Sequence, residues 1–108
     1  MIRLKKFLKY YDYYLEILAK RISGRGLMDP RTNGEYNLLE SIVRNSKDSI
    51  CFIDGGSNVG EHIIKFDSLC KKYGISKHSI IAVEPFPKTI NILRKNTSSI
   101  SYELIEKA

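Results

Sequence analysis

The sequence predicts an α/β fold with a parallel sheet, and three observations carry that prediction. Ile50-Cys51-Phe52-Ile53 and Ile80-Ile81-Ala82-Val83 are short apolar runs, continuous rather than alternating. That pattern suits strands covered on both faces, as in a parallel sheet. Each run ends in a carboxylate, Asp54 and Glu84, and the first is followed by a glycine-rich turn. Between the runs lies a stretch of helical period, the crossover that parallel strands require.

Two helices are expected ahead of the sheet. Leu4, Phe7, Leu8, Tyr11, Leu15, Leu18 and Ile22 recur at three-and-four spacing over residues 2–22. Ser23-Gly24-Arg25-Gly26 stops that helix, and Asp29-Pro30 opens a loop. Thr32-Asn33-Gly34 leads into the second helix, with Tyr36, Leu39, Ile42 and Val43 on one face. After the first strand, a helix is expected from about Asn58 to Tyr73, with Val59, Ile63, Phe66, Cys70 and Tyr73 on one side. Gly74 stands where a left-handed C-cap glycine belongs. Pro87 suits the first position of the next helix, which carries Ile90 and Leu93, and residues 100–105 read as a third strand. The order is α-α-β-α-β-α-β, with right-handed crossovers.

At 108 residues the chain is expected to form one domain at most. Its net charge of +6 is uneven: residues 1–30 hold seven Lys/Arg against three Asp/Glu. The amphipathic segment 1–28 is therefore a basic arm on a near-neutral remainder, 29–108. A solvated helix face is the expected role of that arm. With no Trp and no arginine-rich run, no nucleic-acid partner is expected. Cys51 and Cys70 lie in apolar segments without metal spacing, so both are expected as buried, reduced thiols in a cytoplasmic protein, with no metal site. No run approaches the length of a membrane span.

In open parallel sheets, ligands bind beyond the carboxyl ends of the strands, where Asp54 and Glu84 fall. Gly55, Gly56 and Gly60 allow a tight turn and close approach of a ligand to the backbone. Glu84 is placed to accept hydrogen bonds from a ribose diol. A dinucleotide site would need G-x-G-x-x-G, and here Gly56 and Gly60 are separated by three residues. A pyrophosphate would also sit on the helix N-terminus, where Asp54 and Glu61 repel it. S-adenosyl-L-methionine carries an ammonium and a sulfonium and no phosphate, so the charges favour it as the cofactor. An NAD-type nucleotide-binding module and a non-catalytic interaction fragment remain the alternatives.

The residues Asp54-x-Gly56-x-Asn58-x-Gly60, Ile81-Ala82-Val83-Glu84-Pro85-x-Pro87 and Leu93-x-Lys95-Asn96 resemble the FkbM family of S-adenosylmethionine-dependent methyltransferases. Thr32-Asn33-Gly34-Glu35 is similar to the segment that leads into the first motif there. The resemblance covers roughly residues 29–108. It implies the N-terminal part of a Rossmann-like parallel-sheet methyltransferase fold, and methyl transfer to an oxygen, often on sugars or natural products. By the same resemblance, Asp54, Gly55, Gly56, Ser57, Asn58 and Gly60 hold the methionine part. Glu84 takes the ribose, Phe86 lies beside the adenine, and Pro85 between them is also a cofactor-binding residue. The family continues with four more strands that carry the acceptor site. The chain is therefore expected to be the first half of the domain and inactive alone, with no catalytic residue named.

Several other residues have plainer expectations. His62, on the first helical turn, is read as solvent-facing or capping rather than as a base. His78 is read as solvated. Tyr10, Tyr11, Tyr13 and Tyr14 are read mostly as core and boundary residues. Glu35 either supports its own helix start or reaches toward the methyl donor.

Overall fold

The computed structural model describes residues 14–20, 22 and 29–107, and the chain divides into two compact units, Met1–Asn37 and Leu38–Ala108. The described part is a mixed α/β structure with four helices and a small parallel sheet. The elements are α1 (residues 14–20 and 22), α2 (Glu35–Asn45), β1 (Ile50–Gly55), α3 (Glu61–Lys72), β2 (His78–Val83), α4 (Pro87–Asn96) and β3 (Glu103–Ile105). Expectations for residues 1–13 and 23–28, including Leu4, Phe7, Leu8 and Tyr10, Tyr11 and Tyr13, lie outside the described residues.

In the first unit, α1 leaves Tyr14, Leu15, Leu18 and Ile22 exposed, and Glu16 pairs with Lys20 one turn on. The loop after it is organised by Asp29. Its carboxylate accepts from the Arg31 backbone N–H and guanidinium, and its carbonyl accepts from the N–H groups of Thr32 and Asn33. Asn33 then starts α2: its side-chain oxygen accepts from the Glu35 N–H at 2.9 Å, and its amide donates to Glu35 Oε1 at 2.7 Å. Glu35 thus supports its own helix start, satisfying groups that a helix N-terminus leaves open.

The second unit is built on the sheet, ordered β1-β2-β3 and parallel throughout. Phe52, Ile80 and Ala82 point to one side of it, where Val43 of α2, Ile63, Phe66, Leu69 and Cys70 of α3 and Leu93 of α4 close a single core. Phe52 stacks on Phe66 with ring centroids 4.8 Å apart. Each large side chain buried here contributes about 1.5–3 kcal/mol. Glu40 fastens α2 to the end of α3, accepting from Lys72 Nζ and Tyr73 Oη at 2.7 Å each. Those hydrogen bonds hold its carboxyl down to about 2.

Successive residues of a strand face opposite ways, and α2, α3 and α4 share the core on the Phe52 side. Cys51 and Ile53 fall on the other side and are exposed, Ile53 by 65%. The expectation of coverage on both faces fails there, and so does that of a buried Cys51; Cys70 is buried. Ile42 is likewise half-exposed, since only Val43 and Leu39 of the expected α2 face turn inward toward the core.

Helix boundaries follow backbone chemistry. α3 begins at Glu61, three residues later than its apolar pattern predicts, because Asn58 (φ 47°) and Gly60 (φ 93°) are left-handed and cannot join a right-handed helix. Its end is as expected. Gly74 is left-handed at φ 66°, with Ile75 N–H bonded to Cys70 O and Gly74 N–H to Lys71 O, a Schellman ending. Pro87 opens α4. β3 is shorter than expected, because residues 97–99 are still turning and Ile100 N–H bonds back to Thr97 O. His78 is not a solvated loop residue. It is the first residue of β2, half-buried, edge-on to Phe66, with Nδ1 3.1 Å from Ile75 O.

Candidate functional site

The register brings the two strand ends together: Asp54 lies beside Ala82, and Gly55 beside Val83. The chain after Gly55 folds back over β2. Gly56 N–H and Ser57 N–H both donate to Val83 O at 2.9 Å. Ser57 is buried, its hydroxyl donating to Asp54 O at 3.0 Å. Gly60 N–H donates to Ser57 O, and Gly60 O then accepts the first bond of α3 from Ile64. Nine sequence-derived candidates, Asp54 to Asn58, Gly60, and Glu84 to Phe86, therefore meet at one edge of the sheet.

Glu84 is the tie between the two loops. It is 4% exposed. Oε2 accepts from Asn58 N–H at 2.9 Å, and Oε1 accepts from Phe86 N–H at 3.1 Å. Its own N–H donates to Ile105 O, which fastens β3 to the same edge. The first role of this carboxylate is thus to hold the turn after β1 against the loop after β2. Each oxygen keeps a lone pair for a further donor. Phe86 is 68% exposed, a free aromatic face next to that loop.

Asp54 has a different environment. Its Oδ2 is buried and, among the described residues, is the buried side-chain oxygen or nitrogen without a hydrogen-bond partner. Burial raises its carboxyl above the ordinary aspartate value of 3.8, opposed by the nearby His62 imidazole and the Ser57 hydroxyl. His62 is therefore half-buried beside the turn rather than fully in solvent. A buried acceptor without a donor costs free energy, and it marks a place where a ligand N–H or ammonium gains most.

A stability prediction follows from that burial. With the folded value raised, the native state binds the Asp54 proton more tightly than the unfolded chain does. Stability at this residue is therefore lost as pH rises from about 3.8 through the raised folded value. Asp54→Asn removes the charged form. Its melting temperature should match the wild type in acid and exceed it at neutral pH. Thermal melts across pH check this, and a less stable variant at neutral pH would contradict the assignment.

Two contributors were not legible as site residues. Asn96 Nδ2 donates to Val59 O at 2.9 Å; the residue belongs to the stretch that carries the resemblance, but with no role assigned to it. Thr97, 1% exposed, packs beneath Gly60. A buried threonine after a helix that ends in Lys95-Asn96 has no periodic signal to announce it.

A cleft of about 480 Å³, lined by Asp67, His78, Ser79, Tyr102 and Glu103, lies at the amino-terminal end of the strands. It marks the rows of β2 that precede the pairing with β3, which starts at Ile81. Asp54 is the unpartnered buried acceptor, so the carboxyl-end edge is the stronger site. Among the described residues, no group of His, Cys, Asp and Glu is arranged to hold a metal ion, and no helix is long and apolar enough to cross a membrane. No protein-family model matches the chain, and no curated protein matches it.

Proposed function

We propose that this chain carries the methyl-donor-binding part of an S-adenosylmethionine-dependent methyltransferase similar to the FkbM family, acting on an oxygen of a sugar or natural product in the cytoplasm. The observation that supports it best is the pair of carboxylates at adjacent strand ends, one of them with an unpartnered buried oxygen. Asp54 Oδ2 would accept from the amino-acid ammonium of the donor. The exposed sliver of Glu84 would meet the ribose hydroxyls, and Phe86 would offer its face to the adenine. When bound, S-adenosylmethionine supplies an electrophilic methyl group on sulfur. The turn carries Gly55, Gly56 and Gly60, which would let that sulfur come close to the backbone. Transfer is then mainly a matter of holding the acceptor oxygen in line.

Calorimetry distinguishes this reading from an NAD-type module. S-adenosylhomocysteine is expected to bind, and micromolar NAD is expected not to displace it, because Asp54 and Glu61 disfavour a pyrophosphate at the start of α3. Displacement by NAD would favour the dinucleotide reading. Loss of S-adenosylhomocysteine affinity in Asp54→Asn, despite its higher stability, would tie the ligand to that carboxylate.

A further inference from the structure

The turn through Asn58 and Gly60 is left-handed and held from two sides. Asn58 is the non-glycine residue with positive φ among the described residues, and Gly60 follows at φ 93°. Glycine and asparagine tolerate that conformation, and contacts on both sides fix it here. On one side Glu84 takes the Asn58 N–H. On the other, Asn96 at the end of α4 donates its amide to Val59 O, between the two left-handed residues. The same last turn of α4 supplies the floor: Leu93 and Thr97 lie directly under Gly60. Thr97 is itself fixed, its Oγ1 2.7 Å from both Leu93 O and Tyr102 Oη.

We infer that Asn96 is a positioning residue for the ligand turn: its amide fixes the Val59–Gly60 peptide, and through it the Asn58 N–H that meets Glu84. The effect on ligand binding rests on the methyl-donor reading; the hold on the turn does not. Asn96→Asp tests both. It replaces the donor by an acceptor facing the Val59 carbonyl. Asn91→Asp is the control, since it places the same charge at an exposed position of the same helix.

In the unliganded chain, hydrogen exchange should show the Asn58 and Gly60 amides less protected in Asn96→Asp and unchanged in Asn91→Asp. The defect should close as pH falls through the carboxylate range, because a protonated carboxyl donates to Val59 O again; amides elsewhere in α4 and the sheet, which a general loss of stability would also expose, should stay as protected as in the wild type. S-adenosylhomocysteine affinity, measured where both variants are fully folded, should fall about two- to twelve-fold in Asn96→Asp alone, the range for one hydrogen bond. Equal protection and affinity in the two variants would overturn the inference. If the wild type binds no S-adenosyl ligand, the ligand reading falls and the exchange comparison still decides the role of Asn96.

Discussion

Gly60→Ala is expected to destabilise the fold by about 2–5 kcal/mol. Two independent effects combine. A left-handed conformation costs a non-glycine residue about 1–2 kcal/mol. A Cβ at Gly60 would also stand 2.7 Å from Thr97 Cγ2 and 2.9 Å from Leu93 Cδ1, both on buried side chains. Forcing an extra carbon into a packed core typically costs about 1–3 kcal/mol. The neighbouring glycines separate the two effects. Gly56 is also left-handed, but an added Cβ would meet nothing within 4 Å, so Gly56→Ala should show only the conformational part. Gly55 has neither constraint, and Gly55→Ala should be nearly neutral. Urea denaturation of the three variants gives the order directly. Equal midpoints for Gly60→Ala and Gly56→Ala would mean that α4 does not pack under the turn as described.

Glu84→Ala should be the most damaging change to ligand binding. It leaves the N–H groups of Asn58 and Phe86 without their acceptor and, on the methyl-donor reading, removes the ribose partner as well. Hydrogen bonds to a charged group contribute roughly 1.5–3 kcal/mol each. Loss of one such bond to the ribose lowers affinity for an S-adenosyl ligand about ten- to two-hundred-fold, so a fall of at least that size is expected. Glu84→Gln keeps the shape and one oxygen, but turns an NH2 toward one of the two backbone donors. To separate ribose contact from loop geometry, S-adenosylhomocysteine is compared with its 2′-deoxy analogue. The wild type should prefer the former, and the Ala variant should not. Calorimetry showing the same preference in both would leave Glu84 as a clamp only.

The sheet was legible because its signals are local. Two apolar runs, a glycine-marked turn, Gly74 and Pro87 each act through the backbone within a few residues. The start of α3 was misread because Val59 fits the helical apolar period, while the left-handed turn at Asn58 and Gly60 interrupts it. Cys51 was misread for another reason. A continuous apolar run carries no information on which strand face the helices choose, and the core on the Phe52 side fixes that only in three dimensions. In the site, the acids and glycines stood out by type and position. Asn96 stood out only within the resemblance and without a role, because its partner is a main-chain carbonyl 37 residues earlier, and carbonyls have no sequence signature.

The bond from Asn58 N–H to Glu84 spans 26 residues of chain, and that span has a consequence for when the turn exists. Closing such a loop costs conformational entropy before any contact repays it. The turn therefore takes its shape only once β2 has docked along β1 and α3 has crossed between them. An unfolded or nascent chain contains every residue of the site but none of its geometry. Formation of the turn and completion of the parallel pairing are thus a single cooperative event, and any ligand that selected this turn would also favour the paired strands beneath it.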